Sequence, residues 1–239
     1  MQTRYVLPLC AAYLISCAAL QEPDIVDRHY PALGDLGHYT RTLLPSDFHK
    51  IGSPSLEAPI TVSVREVPFD KVHFKKYSHY QAQQDAPVAI AFADSLEHKP
   101  KYLCLALTDK IALGTALNRP ENREVRHYLE RDPGYRLVYE VALMPSAQQW
   151  EWLTGETPIF LANDAHGALV LQIGKRQEAK EIHLSQMAVF DYKTLGFCWA
   201  ADRFGKKRVA TLTDYGQACP KHTEQRAHKL DKSKSHLRL

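Results

Sequence analysis

No G-x-S-x-G elbow, phosphate-binding loop, dinucleotide fingerprint or H-E-x-x-H pair occurs in the 239 residues. Each of those patterns ties a backbone shape or a metal geometry to one reaction class, so their absence removes the chemistries that announce themselves in short motifs. Catalytic triads and carboxylate pairs built from distant positions are untouched by this test. Long apolar runs are also scarce. Only Tyr5 to Leu20 is free of charge for sixteen residues, short of the roughly 20 that a membrane-spanning helix needs. With apolar residues at 45% and charged residues at 24%, the composition argues against wholesale disorder and against a polytopic membrane protein. Charge of one sign is nearly balanced as well. The net charge is +3, and six cations (Lys221, Arg226, Lys229, Lys232, Lys234, Arg238) stand against Glu224 and Asp231 in the last nineteen residues. The body is therefore close to neutral and offers no global field for nucleic acid. There is no internal repeat.

What is present begins at the amino terminus. Met1 to Arg4 carries one positive charge, the apolar run follows, and Gln21-Glu22-Pro23-Asp24 ends it; this is the build of an export signal, and Pro8 within it disfavours a long spanning helix. Inside the run lies Leu14-Ile15-Ser16-Cys17, followed by Ala18. This resembles the lipobox of bacterial lipoproteins, a match carried by about four positions. The resemblance implies a signal peptide over 1–16, a diacylglyceryl group on the Cys17 thiol with palmitate-like acyl chains, and a place in the bacterial cell envelope, on the non-cytoplasmic side of a membrane. Two other readings stay open: an ordinary signal-peptidase site at Cys17-Ala18-Ala19, and an uncleaved amino-terminal anchor. All three export the domain.

The rest divides by composition. Residues 17–59 are rich in Pro, Gly, Asp and His and read as a lipidated amino terminus and irregular tether. Residues 60–220 read as one globular domain, and 221–239 as a basic, polar, disordered tail. Ile60, Val62 and Val64 alternate with Thr61, Ser63 and Arg65, and Tyr135, Leu137, Tyr139, Val141 and Leu143, after Pro133-Gly134, alternate with Arg136, Val138, Glu140 and Ala142; both read as half-buried strands of period two. Val88 to Ala93 and Tyr102 to Leu107 are apolar throughout and read as central strands. Ile159 to Ala162 and Ala168 to Ile173 flank a turn over Asn163 to Gly167. Gln186 to Tyr192, Phe197 to Ala200 and Val209 to Thr213 complete the strands. Two short helices are expected, one capped by Asn118 with Glu121 and one by Ser146 with Gln149. Strands outnumber helices without alternating with them, which predicts an α+β fold on an antiparallel sheet.

Candidate chemistry is sparse, and no cofactor is implied. Asp24, Asp27, His29, Asp35 and His38 form the densest acid and histidine cluster, but their spacing fits no metal template, so they read as solvated surface and no metal site is assigned. Lys71 to Tyr80 interleaves cations with rings; Lys75, Lys76, Tyr77 and Tyr80 are the candidate ligand surface, suited to a glycan or an anionic headgroup, against the alternative of packed rings and solvated lysines. Trp150 and Trp152 lie two apart on a short helix, so one should pack and the other be exposed. After loss of Cys10 and modification of Cys17, three thiols remain. Cys104 sits in an apolar run and should stay free, leaving Cys198 and Cys219 as a disulfide pair or as two unconnected thiols. The reading that follows is a non-enzymatic envelope lipoprotein, attached to the membrane through its amino-terminal lipid and binding an envelope protein or glycan. The alternative is a membrane-anchored hydrolase or metal-dependent enzyme acting on envelope polymers.

Overall fold

The alternation at Ile60 becomes strand β3 (Ile60–Pro68), and the run at Tyr102 becomes β4 (Lys101–Leu107). The stretch after Pro133-Gly134 becomes β5 (Tyr135–Leu143). They belong to an antiparallel sheet in a computed structural model that describes residues 30–39, 48–155, 157–174, 179–214 and 216–232. The hairpin around Asn163 to Gly167 is β6 (Ile159–Asn163) and β7 (Leu169–Ile173). After β8 (Lys180–His183), β9 (Val189–Ala201) and β10 (Lys207–Asp214) form the last hairpin. Two further strands precede them, β1 (Leu36–Tyr39) and β2 (Phe48–Gly52). The main path runs β10-β9-β5-β4-β3-β6-β7-β8. Strand β5 is shared on one side, β4 pairing with Ala142 and its neighbours while β1 pairs with Tyr135 to Leu137.

The sheet curls until its distant parts meet. Gly34, bonded to β5 through its N–H to the Val138 carbonyl at 2.8 Å, lies against Leu161 of β6 and Leu169 of β7. Its φ is +87°, and a Cβ there would come within 2.8 Å of both leucine side chains, so glycine suits this crossing on both counts. The curl encloses an aliphatic core that includes Leu33, Leu36, Leu103, Leu105, Leu137, Leu161, Leu171 and Leu195. Each fully buried leucine contributes about 2 kcal/mol over an exposed one. The fold is α+β and single-domain, as expected.

Helices among the described residues number five rather than two. Helix α1 (Lys71–Gln83) lies on the outer face of the sheet, capped by Asp70, whose carboxylate accepts the His73 N–H at 2.7 Å. Helix α2 (Lys110–Asn118) is capped by Asp109, and α3 (Arg123–Arg131) follows a 3₁₀ turn at Pro120–Asn122. The expected capping box at Asn118 does not form, because Asn118 ends α2. Its side chain instead serves β10, accepting the Val209 N–H at 2.9 Å and donating to the Val209 carbonyl at 2.7 Å. Buried Arg126 of α3 donates to the Leu117 carbonyl at 3.1 Å, satisfying an orphan acceptor at the end of α2. Helix α4 (Ala147–Thr154) has the capping box of Ser146 and Gln149.

Three expectations are corrected. Val88 to Ala93 is no strand: Ile90 and Phe92 alternate inward, but onto α1, with Phe92 stacked on Phe74 at 4.7 Å. The domain does not begin at 60. Leu33, Leu36 and Leu56 are core, and Asp35, 3% exposed, accepts from the Ala32 N–H at 2.9 Å, Ser53 Oγ at 3.2 Å and Lys50 Nζ at 2.8 Å. Nor is the segment after Lys221 wholly free. Glu224 and Trp199 exchange two backbone hydrogen bonds of 2.8 Å, Ala227 is buried, and α5 (Lys229–Lys232) packs Leu230 toward the core. A few well-placed contacts hold both ends despite their polar composition. The signal segment, the lipobox with Cys17, and Asp24, Asp27 and His29 lie outside the described residues.

Candidate functional site

Side chains on the outer face form one row across four strands: Arg65 opposite Cys104, Cys104 opposite Ala142, Ala142 opposite Asp191. Two residues along, Glu140 stands opposite Lys193 on the same face. Pairing fixes these neighbours, because every second residue of a strand shares a face. Helix α1 closes one side of the row with His73 and Lys76. The result is a shallow cleft of about 150 Å³ whose lining includes Arg65, His73, Tyr102, Cys104, Asp191 and Lys193.

Glu140 organises the charges. Largely buried, it bonds Arg65 at 3.3 Å and Lys193 at 2.8 Å, and its bond raises the Lys193 pKa above the ordinary lysine range. Asp191 is bound by Lys76 Nζ at 2.7 Å, with His73 Nε2 at 3.8 Å. The other imidazole nitrogen meets the Asp70 carboxylate at 2.8 Å, and the ring stacks on Tyr102 with centroids 5.3 Å apart. The His73 backbone N–H holds the Asp70 carboxyl below its usual range. Burial pushes the Cys104 thiol from 9.0 to about 11, and the negative charge of Glu140 adds to the shift. Burial likewise raises Tyr102 to about 12. At neutral pH the thiol is thus protonated, and the thiolate is the nucleophilic form. The cleft holds a thiol in its neutral form, acids that are already paired, and a rim of Arg65, Lys76 and Lys193 reaching solvent. This is a polar surface whose exposed cations are each already engaged by Glu140 or Asp191.

A second groove, about 360 Å³, runs beside β3 between Val64, Glu66, Thr154, Gly155, Thr157 and Pro158. Strand β6 pairs with β3 only from Ile60 to Val62. In the alternation set by the Thr108 N–H to Thr61 carbonyl bond, the backbone groups of Val64 and Glu66 face this groove.

The candidate ligand surface on α1 is not brought together as one patch. Phe74, Tyr77 and Tyr80 recur every three residues, a helical period that turns them to the sheet. Tyr77 is 2% exposed among Phe69, Tyr102 and Phe190, so it is core and not available to a ligand. Tyr80 is half-buried, edge-on to Tyr30 at 5.2 Å. Lys75 and Lys76 are exposed, and Lys76 belongs to the cleft through Asp191. Trp150 and Trp152 are both half-buried, with Lys180 Nζ 3.5 Å from the Trp152 ring centroid. Cys198 and Cys219 are joined in a disulfide with Cα atoms 5.6 Å apart, and Cys104 is free and buried. His38 bonds Asp132 at 3.2 Å, and buried Asp35 is structural and not solvated. No group of three or more metal-ligating side chains occurs among the described residues. None of the described helices is long and apolar enough to cross a membrane. Arg65, Glu140, Asp191 and Lys193 escaped the sequence reading, since alternation places each on a solvent face without saying which strands are neighbours. No known protein family, characterised protein or solved structure matches the chain.

Proposed function

We propose that the chain is an exported bacterial lipoprotein, held to an envelope membrane by lipid on Cys17, whose folded domain is a non-enzymatic module binding another envelope component. The observation that carries the reading is the Cys198–Cys219 disulfide. Such crosslinks persist in oxidising compartments and are rare in a reducing cytosol, so the pair supports the same address as Leu14-Ile15-Ser16-Cys17 from the opposite end of the chain. The binding role is supported by the cleft, where Cys104 is protonated and Glu140 and Asp191 are already paired. It is also supported by the groove beside Val64 and Glu66.

The test replaces the attachment point. Cys17→Ser should abolish incorporation of labelled fatty acid and leave unprocessed precursor, or a soluble form if the Cys17-Ala18-Ala19 site is used. Unchanged mass and unchanged membrane partition in the variant would remove the lipid from the account. Cross-linking in intact membranes, compared with an unrelated anchored control, tests the binding half; recovery of nothing above that control counts against it.

A further inference from the structure

Strand β9 outruns the sheet. Its last pairing with β5 is at Leu195, and from Gly196 to Ala201 it has, among the described residues, β10 on one side and only the Trp199–Glu224 bridge on the other. The hairpin is buried as far as Trp199 and is braced along its length, by the Cys198–Cys219 disulfide and, beside the turn, by the ion pair of Lys207 with Asp231 at 2.7 Å. Its turn is locked as well. The Asp202 N–H donates to the Lys206 carbonyl at 3.0 Å, and the Asp202 carboxylate accepts the Phe204 and Lys206 N–H groups at 2.9 and 2.8 Å. Gly205 takes the φ of +82° that the turn needs.

This rigid turn holds Phe204 in water, 78% exposed, with the Arg203 guanidinium 4.6 Å from its ring centroid. Arg203, Lys206 and Arg208 are exposed around it, Lys207 is tied to Asp231, and the single acid of the turn, Asp202, is engaged by backbone donors. Arg226 and Lys229, the latter 3.9 Å from Glu224, lie exposed on the segment that braces the hairpin. A lone exposed ring is ordinary on a soluble surface. A ring at the apex of a braced turn, flanked along the chain by the exposed cations Arg203, Lys206 and Arg208, has the composition of an interfacial membrane contact.

We propose that the β9–β10 tip docks on an anionic lipid surface, with Phe204 entering the headgroup region and Arg203, Lys206 and Arg208 meeting lipid phosphates. The contact does not depend on the lipid at Cys17 and would fix which side of an anchored domain faces the bilayer.

The test uses the chain from residue 21 onward, which retains every described element and lacks the apolar leader and Cys17. It should co-sediment with vesicles of equal parts phosphatidylcholine and phosphatidylglycerol, and much less with phosphatidylcholine alone. Phe204→Ser should weaken that binding about tenfold, and Arg203→Gln with Lys206→Gln about twentyfold. Both variants should keep the wild-type thermal midpoint, because these side chains are exposed. Three results would overturn the proposal: no binding to the mixed vesicles, equal binding to both vesicle types, or no effect of Phe204→Ser. A single-stranded oligonucleotide bound as tightly as the mixed vesicles, and equally by wild type and Phe204→Ser, would identify a general polyanion surface and would overturn it too.

Discussion

The two ends of the described chain both lack long apolar runs and are fastened by different physics. At the amino-terminal end, Leu33 and Leu36 are buried in the curl, and buried Asp35 ties the chain to Ser53 and Lys50. At the carboxy-terminal end the holds include a disulfide, a backbone bridge from Glu224 to Trp199, buried Ala227 with half-buried Leu230, and the ion pair of Asp231 with Lys207. The first attachment depends on burial and should follow global stability. The second depends on a covalent link whose existence depends on compartment. A segment's average polarity therefore does not decide whether it is ordered; two or three anchors suffice when the sheet supplies a partner for each.

Removing the covalent hold should give the largest effect. Cys198→Ser with Cys219→Ser, opening a loop of sequence separation 21, should cost about 3 kcal/mol in the chain-entropy model. In hydrogen exchange, faster opening should be concentrated in residues 216–232 and in the β9–β10 hairpin, leaving β1 protected. Equal acceleration at both ends would erase the distinction.

The reciprocal change is Asp35→Ala, which strands the partly buried Ala32 N–H and frees Lys50. We expect a loss of about 2 kcal/mol in denaturant unfolding, with exchange quickened in residues 30–39 while the carboxy-terminal brace keeps its protection.

A smaller effect separates the outer cleft from both ends. Because burial raises the Cys104 pKa from 9.0 to about 11, the native state retains a proton that the unfolded chain releases first. That contribution is complete below about pH 9 and is lost as pH rises through about 11. Cys104→Ala should flatten this alkaline decline relative to wild type. An unchanged slope would mean that Cys104 is not its source. Native Cys104 should also resist alkylation at neutral pH and react after unfolding.

Much of this architecture was legible in the sequence. The strands β3 and β5, the turn between β6 and β7, the pairing of Phe197 to Ala200 with β10 and the Ser146 capping box all follow from local side-chain patterns, whereas the two strands expected at Gln186 to Tyr192 and Phe197 to Ala200 are one continuous β9. Helix α1 was hidden by its own composition: Phe74, Tyr77 and Tyr80 carry a helical period, but the intervening lysines and histidines made the stretch look like a ligand surface. Asp109 before Leu113, Ala116 and Leu117 was an equally local signal for α2. Val88 to Ala93 misled because an apolar alternation packs as well on a helix as in a sheet. The Trp199–Glu224 bridge has no side-chain signature, since backbone hydrogen bonds join whatever residues the topology brings together. The cleft was illegible for the same reason, its members coming from four strands and a helix that only strand order makes adjacent.

One measurement bears on the central claim of an exported, lipid-anchored and disulfide-braced module: peptide mass mapping, without reductant, of the protein recovered from cell membranes. The account predicts a peptide crosslinked between Cys198 and Cys219 together with an amino-terminal peptide beginning at lipid-modified Cys17. Recovery of Cys198 and Cys219 as free, alkylated thiols beside an unmodified Cys17 would contradict it.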